Sequence, residues 1–124
     1  MMRKNPVVLI VDDDDVLRRI YRAMLSGEFD VLEAKNGKEG VELYLANFPD
    51  VVLMDVVMPV MDGIQATREI LKTNPEAIVI GVTAYAPEKG AEMLEAGAKD
   101  VIPKPIKREE FIEKIKKIIK KSGW

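Results

Sequence analysis

The sequence predicts an α/β fold of the doubly wound kind, with five parallel strands in the order 2-1-3-4-5 and helices on both faces. Three observations carry that prediction. Short apolar runs bounded by turn residues alternate along the chain with longer segments whose apolar positions recur at three and four. The runs at 7–11, 51–55 and 78–83 are almost wholly apolar, as strands covered on both faces must be. Those at 31–34 and 101–103 are shorter and partly polar, which suits the two edges of a sheet. Strict alternation of strand and helix implies parallel pairing through right-handed crossovers.

Taken in order, Val7-Val8-Leu9-Ile10-Val11 is the first strand, and it runs straight into Asp12-Asp13-Asp14-Asp15. Val16, Leu17, Ile20 and Met24 mark the first helix, with Asp15 placed to cap its start and Gly27 where it stops. After the second strand, Asn36 caps a helix marked by Val41, Tyr44, Leu45 and Phe48. The third strand ends in Asp55, and the helix after it carries Ile64, Thr67, Ile70 and Leu71 before Asn74-Pro75 ends it. The fourth strand ends in Thr83, and Met93 and Leu94 sit on a short helix closed by Gly97. The fifth strand leads to Lys104, and Phe111, Ile112, Ile115, Ile118 and Ile119 form the stripe of the last helix.

At 124 residues the chain reads as one domain over residues 1–124. With 48% hydrophobic and 32% charged residues, it lies outside the disordered class. No apolar run is long enough to cross a membrane, and the first run meets four aspartates at once, which excludes a signal peptide. The expected location is therefore cytoplasmic, without membrane insertion. The absence of cysteine removes disulfides, thiolate metal sites and thiol nucleophiles. The absence of histidine removes the commonest general base and transition-metal ligand. A net charge of −2 argues against direct nucleic-acid binding, and the basic stretch at 114–121 reads as a solvated helix face.

In a sheet of this order the crevice for ligands opens between the first and third strands, at their carboxyl ends. Asp12 and Asp13 end the first strand and Asp55 ends the third, so three carboxylates meet there. Packed carboxylates resist ionising unless a cation sits among them. With hard oxygen donors alone the natural cation is magnesium, and a calcium cage is the weaker alternative because the loop lacks the ligand spacing of an EF-hand. Thr83 and Lys104 reach the same rim, and a hydroxyl and an ammonium beside an acidic metal site suit phosphoryl chemistry, with a carboxylate as nucleophile. Taken singly, each has an ordinary reading: a solvated loop or cap for the aspartates, a strand end for Thr83, a surface lysine for Lys104. Their coincidence at one rim of one sheet is what points to a site.

These residues resemble the receiver domains of two-component response regulators, including the single-domain chemotaxis type with a flavodoxin-like fold. The resemblance runs from Val7 to about Lys120 and is carried by Asp12-Asp13, by Met54-Asp55-Val56-Val57-Met58-Pro59 followed by Met61-Asp62-Gly63, by Val82-Thr83-Ala84, by Gly97-Ala98 and by Lys104-Pro105. It implies a phosphorylation-dependent switch in which Asp55 accepts a phosphoryl group from the phosphohistidine of a sensor histidine kinase or histidine phosphotransfer protein. Asp13, Asp55 and the carbonyl of Val57 would bind Mg2+ directly, with Asp12 acting through water. Lys104 would contact the phosphoryl group, with a cis bond to Pro105, and Thr83 would move toward it and reshape the face that a downstream target protein reads. Val57 and Tyr85 would tune water access and the lifetime of the phosphorylated state. The domain would promote its own phosphorylation and slow dephosphorylation without being an enzyme in the ordinary sense.

Two residues depart from the pattern. Val101 stands three residues before Lys104, where the family usually has a tyrosine or phenylalanine that moves with the threonine. Asp14 stands where chemotaxis-type members often carry an apolar or aromatic residue, and reads as simple solvation. Two other functions stay open. One is a receiver-like interaction module independent of phosphorylation, which Val101 favours. The other is an aspartate-nucleophile phosphatase resembling the haloacid dehalogenase type, with Asp12 as its nucleophile. The chain is short for it and has no second acidic pair after the fourth strand.

Overall fold

A computed structural model describes residues 5–84 and 87–123. The chain forms β1 (Val7–Val11), α1 (Asp15–Leu25), β2 (Asp30–Ala34), α2 (Gly37–Asn47), β3 (Val51–Asp55), α3 (Gly63–Thr73), β4 (Val79–Thr83), α4 (Pro87–Ala96), β5 (Asp100–Pro103) and α5 (Arg108–Lys120). All strand pairs are parallel, and the order is β2-β1-β3-β4-β5, as the alternation of runs predicts. Every residue of β3 and β4 is buried, whereas β2 and β5 are half-exposed edges.

Because side chains alternate across a strand, the sheet divides its apolar residues between two cores. Val8, Ile10, Leu53, Ile80, Val82 and Ile102 face one side, where Tyr21 and Leu25 of α1 and Phe111, Ile112 and Ile115 of α5 cover them. Leu9, Val11, Val52, Met54 and Val79 face the other, beneath Tyr44 of α2, Ile64 and Ile70 of α3, and Met93 of α4. The α5 stripe is therefore the one its spacing predicts, and the lysines of its other face are solvated, with Lys114 paired to Asp100 and Lys116 to Glu28.

Helix faces differ from the sequence reading in three places. On α1 two apolar diagonals compete, and the one through Leu17, Tyr21 and Leu25 turns inward while Val16 and Ile20 stay exposed. On α2 the buried stripe is Gly37, Gly40 and Tyr44, because the helix lies so close to β1 that a Cβ on Gly40 would come 2.9 Å from a Val11 methyl. Leu45 and Phe48 are left outside, Phe48 as the C-cap with φ 45°. On α4 Met93 is buried, and Leu94, a hundred degrees further round the helix, is exposed. The cap of α1 is Asp14 rather than Asp15. Asp14 has extended backbone and its Oδ1 accepts from the N–H groups of Val16 (2.9 Å) and Leu17 (3.2 Å), while Asp15 is already helical. Asp14 is thus a cap as well as a solvated charge. Asn36 caps α2, Asn74 ends α3, and Gly97 follows α4 with φ 112°, where a Cβ would meet Leu71 at 2.2 Å.

Candidate functional site at the carboxyl rim of the sheet

Register brings the acidic residues together. Val11 pairs with Met54, so one further step along both strands sets Asp12 beside Asp55. Asp55 pairs with Val82 and Thr83 with Pro103, which puts Thr83 one step past Asp55 and Lys104 one step past Thr83. The N–H of Lys104 donates to the Thr83 carbonyl at 3.0 Å, and the Lys104-Pro105 bond is cis. The rim therefore carries Asp12, Asp13, Asp55, Thr83 and Lys104. Val57 stands two residues beyond Asp55 on the exposed edge of the β3–α3 loop. Tyr85 lies outside the described residues.

Asp12 is 1% exposed and Asp55 8%, while Asp13 is open to solvent. One carboxylate oxygen from each of the three lies within 4.8 Å of the others. Lys104 Nζ donates to Asp55 Oδ1 at 3.3 Å and lies 3.7 Å from Asp12 Oδ2. Asp12 Oδ1 accepts from the Asp14 N–H at 2.9 Å. Its other oxygen, Oδ2, is buried and has no hydrogen-bond partner among the described residues.

One lysine is too little for three carboxylates, and the protonation equilibria record it. Burial above all pushes Asp55 up from the ordinary 3.8 to about 6; the charge of Asp12 adds to this, and Lys104 opposes it. Asp12 is raised as well, again chiefly by burial, against the Asp14 N–H and Lys104. A divalent cation would relieve both. The donors are oxygen only, from a chain without histidine or cysteine, and one buried carboxylate oxygen has no hydrogen-bond partner among the described residues. The residues present fit Mg2+.

The loop from Asp55 to α3 is held by close backbone contacts. The Gly63 N–H donates to the Val56 carbonyl at 2.8 Å, and a Cβ at Gly63 would sit 2.0 Å from the Asp55 carbonyl oxygen. Only glycine lets the first turn of α3 rest on the backbone of Asp55. Asp62 caps that turn, its Oδ1 accepting from the Gln65 N–H at 2.8 Å. Within the loop, Val60 takes φ 71°, a left-handed conformation that β-branched residues seldom adopt. Val101, Gly90, Pro87 and Ala84 border a largely apolar hollow of about 320 Å³ beside Thr83 and Lys104.

Two features went unread in the sequence. Gly63 belongs to the quoted motif, but its steric role emerges only once α3 is packed on β3. Arg18, whose Nη1 donates to the Asp12 carbonyl at 2.6 Å, carries no local signal except its place one turn past the acidic block.

A model of the response regulator receiver domain matches residues 8–116. The chemotaxis protein CheY of Halobacterium salinarum is 40% identical over 114 residues, which is 90% of this chain and 95% of that protein. CheY of Thermotoga maritima is 40% identical over 116 residues, 91% of this chain and 97% of that one. Among solved structures, a CheY-like receiver domain from Methanospirillum hungatei matches with a TM-score of 0.90 at 30% identity, covering 95% and 96% of the two chains. A chain of the CheX-CheY-BeF3-Mg complex from Borrelia burgdorferi matches with a TM-score of 0.81 at 31% identity, covering 90% and 87%.

Proposed function

Since the chain belongs to the response regulator receiver domains, the signalling switches of two-component systems, we propose that Asp55 is its phosphoryl acceptor and residues 1–124 its single receiver domain. The observation that carries this reading is the buried, under-neutralised cluster: Asp12 Oδ2 without a hydrogen-bond partner among the described residues, and Asp55 raised to about 6 with Lys104 as its neighbouring cation. The presence of BeF3 and Mg2+ with the Borrelia relative supports it.

In this reading Asp13, Asp55 and the Val57 carbonyl would hold Mg2+, and Asp12 would act on it through water. When bound, the ion neutralises charge on the transferring group. An Asp55 carboxylate oxygen attacks the phosphorus of a phosphohistidine. The new O–P bond forms as the P–N bond breaks, and the imidazole leaves with its electron pair. Lys104, already on Asp55, moves onto a phosphoryl oxygen, and the Thr83 hydroxyl donates to another. The site promotes its own loading and slow hydrolysis, and turns over no separate substrate. The donor is a sensor histidine kinase or histidine phosphotransfer protein, and the loaded form is read by a downstream target. No helix among the described residues is long and apolar enough to cross a membrane, which suits a cytoplasmic switch.

The test is intact mass after incubation with acetyl phosphate. The reading expects one phosphoryl adduct that requires Mg2+ and is lost in Asp55→Asn. An unmodified wild type would return attention to an interaction module that ignores phosphate, the reading favoured by Val101.

A further inference from the structure

We propose that Arg18 is a positioning residue for the metal site, acting through the main-chain carbonyl of Asp12; this rests on the reading that Asp12, Asp13 and Asp55 hold magnesium. Arginine usually keeps its head in water, yet the Arg18 side chain is only 12% exposed. Its guanidinium reaches three elements at once. Nη1 donates to the Asp12 carbonyl at 2.6 Å, Nη2 donates to the Asp15 carboxylate, and Nε lies 3.3 Å from Glu33 Oε1 on β2. Glu33 is itself anchored, since Arg22 Nε donates to its other oxygen at 2.6 Å and Arg22 Nη2 donates to the Val31 carbonyl at 3.2 Å. A planar fork carries its donors on separate nitrogens in fixed directions and so spans these three acceptors, whereas an ammonium concentrates its three donors at one point.

The carbonyl that Arg18 holds belongs to the peptide joining Asp12 to Asp13. Fixing that plane sets the direction in which the chain leaves the end of β1, and so where the Asp13 carboxylate stands relative to Asp55. Asp12 has further restraints, its N–H donating to Ala34 at 3.1 Å and its Oδ1 accepting from Asp14. Asp13 is exposed, so packing does not hold it. Three mutually repelling carboxylates would tend to spread the loop, and the guanidinium ties it back to β2.

Charge and position make opposite predictions here. As a mere cation near the cluster, Arg18 repels Mg2+, and its removal would tighten binding. As a positioning residue, its removal loosens the ligand set and weakens binding. Partners behind the ligands typically matter by tenfold or more in metal affinity. Mg2+ titrations followed by backbone amide NMR of the Asp12–Asp14 loop and Gly63, with no phosphodonor present, separate the two. Arg18→Met is expected to weaken Mg2+ about tenfold, with Arg18→Lys intermediate. Glu33→Gln, which keeps the arginine and releases one anchor, is expected to weaken it by less than Arg18→Met. The amide spectra report folding in the same experiment, and the lysine and glutamine variants preserve the test if Arg18→Met fails to fold. Equal or tighter binding in the Arg18 variants, with a wild type that binds, overturns the positioning role alone. A wild type whose loop amides do not respond to Mg2+ overturns the metal reading and this one with it.

Discussion

Asparagine at position 55 is expected to stabilise the metal-free protein at neutral pH and to leave it nearly unchanged in acid. Asp55 holds its proton up to about 6 in the folded chain, against 3.8 for an ordinary aspartate, chiefly because it is buried and Asp12 lies beside it. Between those two values the native state binds more protons than the unfolded state, so stability falls as pH rises. Above the folded value the whole penalty is present; below the unfolded value none of it is. A separation of about two pH units corresponds to about 3 kcal/mol, an upper figure because the loop relaxes once charged. Asparagine resembles the protonated carboxyl and escapes this cost. For a domain of this length the gain amounts to roughly 10 °C in melting temperature. Thermal melts of wild type and Asp55→Asn in chelator, at about pH 7.5 and about pH 4, measure it. The variant should melt higher at the upper pH, with the gap closing at the lower. Added Mg2+ should also narrow it, by binding the folded wild type more tightly than the variant. A gap equal at both pH values would place the effect in packing, and a less stable variant at neutral pH would refute the electrostatic account.

The other predictions concern the same rim. Lys104→Met removes the cation that opposes the raised pKa of Asp55, so the Asp55 carboxyl, followed by carbon-detected NMR, should titrate above about 6; an unchanged midpoint would show that Lys104 does not act on it. Gly63→Ala forces a methyl to within 2.0 Å of the Asp55 carbonyl oxygen, and displacing α3 should cost about 3 kcal/mol in urea denaturation; a near-neutral result would mean the turn is not clamped. Val60 pays for φ 71° with a side chain that is 79% exposed, so Val60→Asn should stabilise by about 1 kcal/mol, and a loss in the same assay would contradict strain at that position.

The sheet and its acidic rim were legible because both are written in short range. A strand buried on both faces must be apolar along its length, and polar residues at its carboxyl end fall at the rim whatever the helices do. Asp12, Asp13, Asp55, Thr83 and Lys104 are therefore readable once the strands are ordered. Helix faces were harder. On α1 the diagonals through Val16 and through Leu17 are both apolar, and only packing on Val8, Ile10 and Phe111 chooses between them. The run of four aspartates offers several candidate caps, and the choice of Asp14 depends on which residue keeps extended backbone while its oxygen accepts from the Val16 N–H in the first turn. Tertiary approach was illegible. Gly40 against Val11, Gly63 against Asp55 and Arg18 against the Asp12 carbonyl are contacts between elements, which neither the motif around Gly63 nor the place of Arg18 past the acidic block reveals.

The most direct test of the central claim is to trap the phosphorylated residue itself. The protein would be loaded with acetyl phosphate and Mg2+, reduced with borohydride to convert an aspartyl phosphate to homoserine, and sequenced by tandem mass spectrometry. Homoserine at position 55 alone is the predicted result. Homoserine at position 12, the nucleophile of the phosphatase reading, or none at any aspartate, would contradict the account.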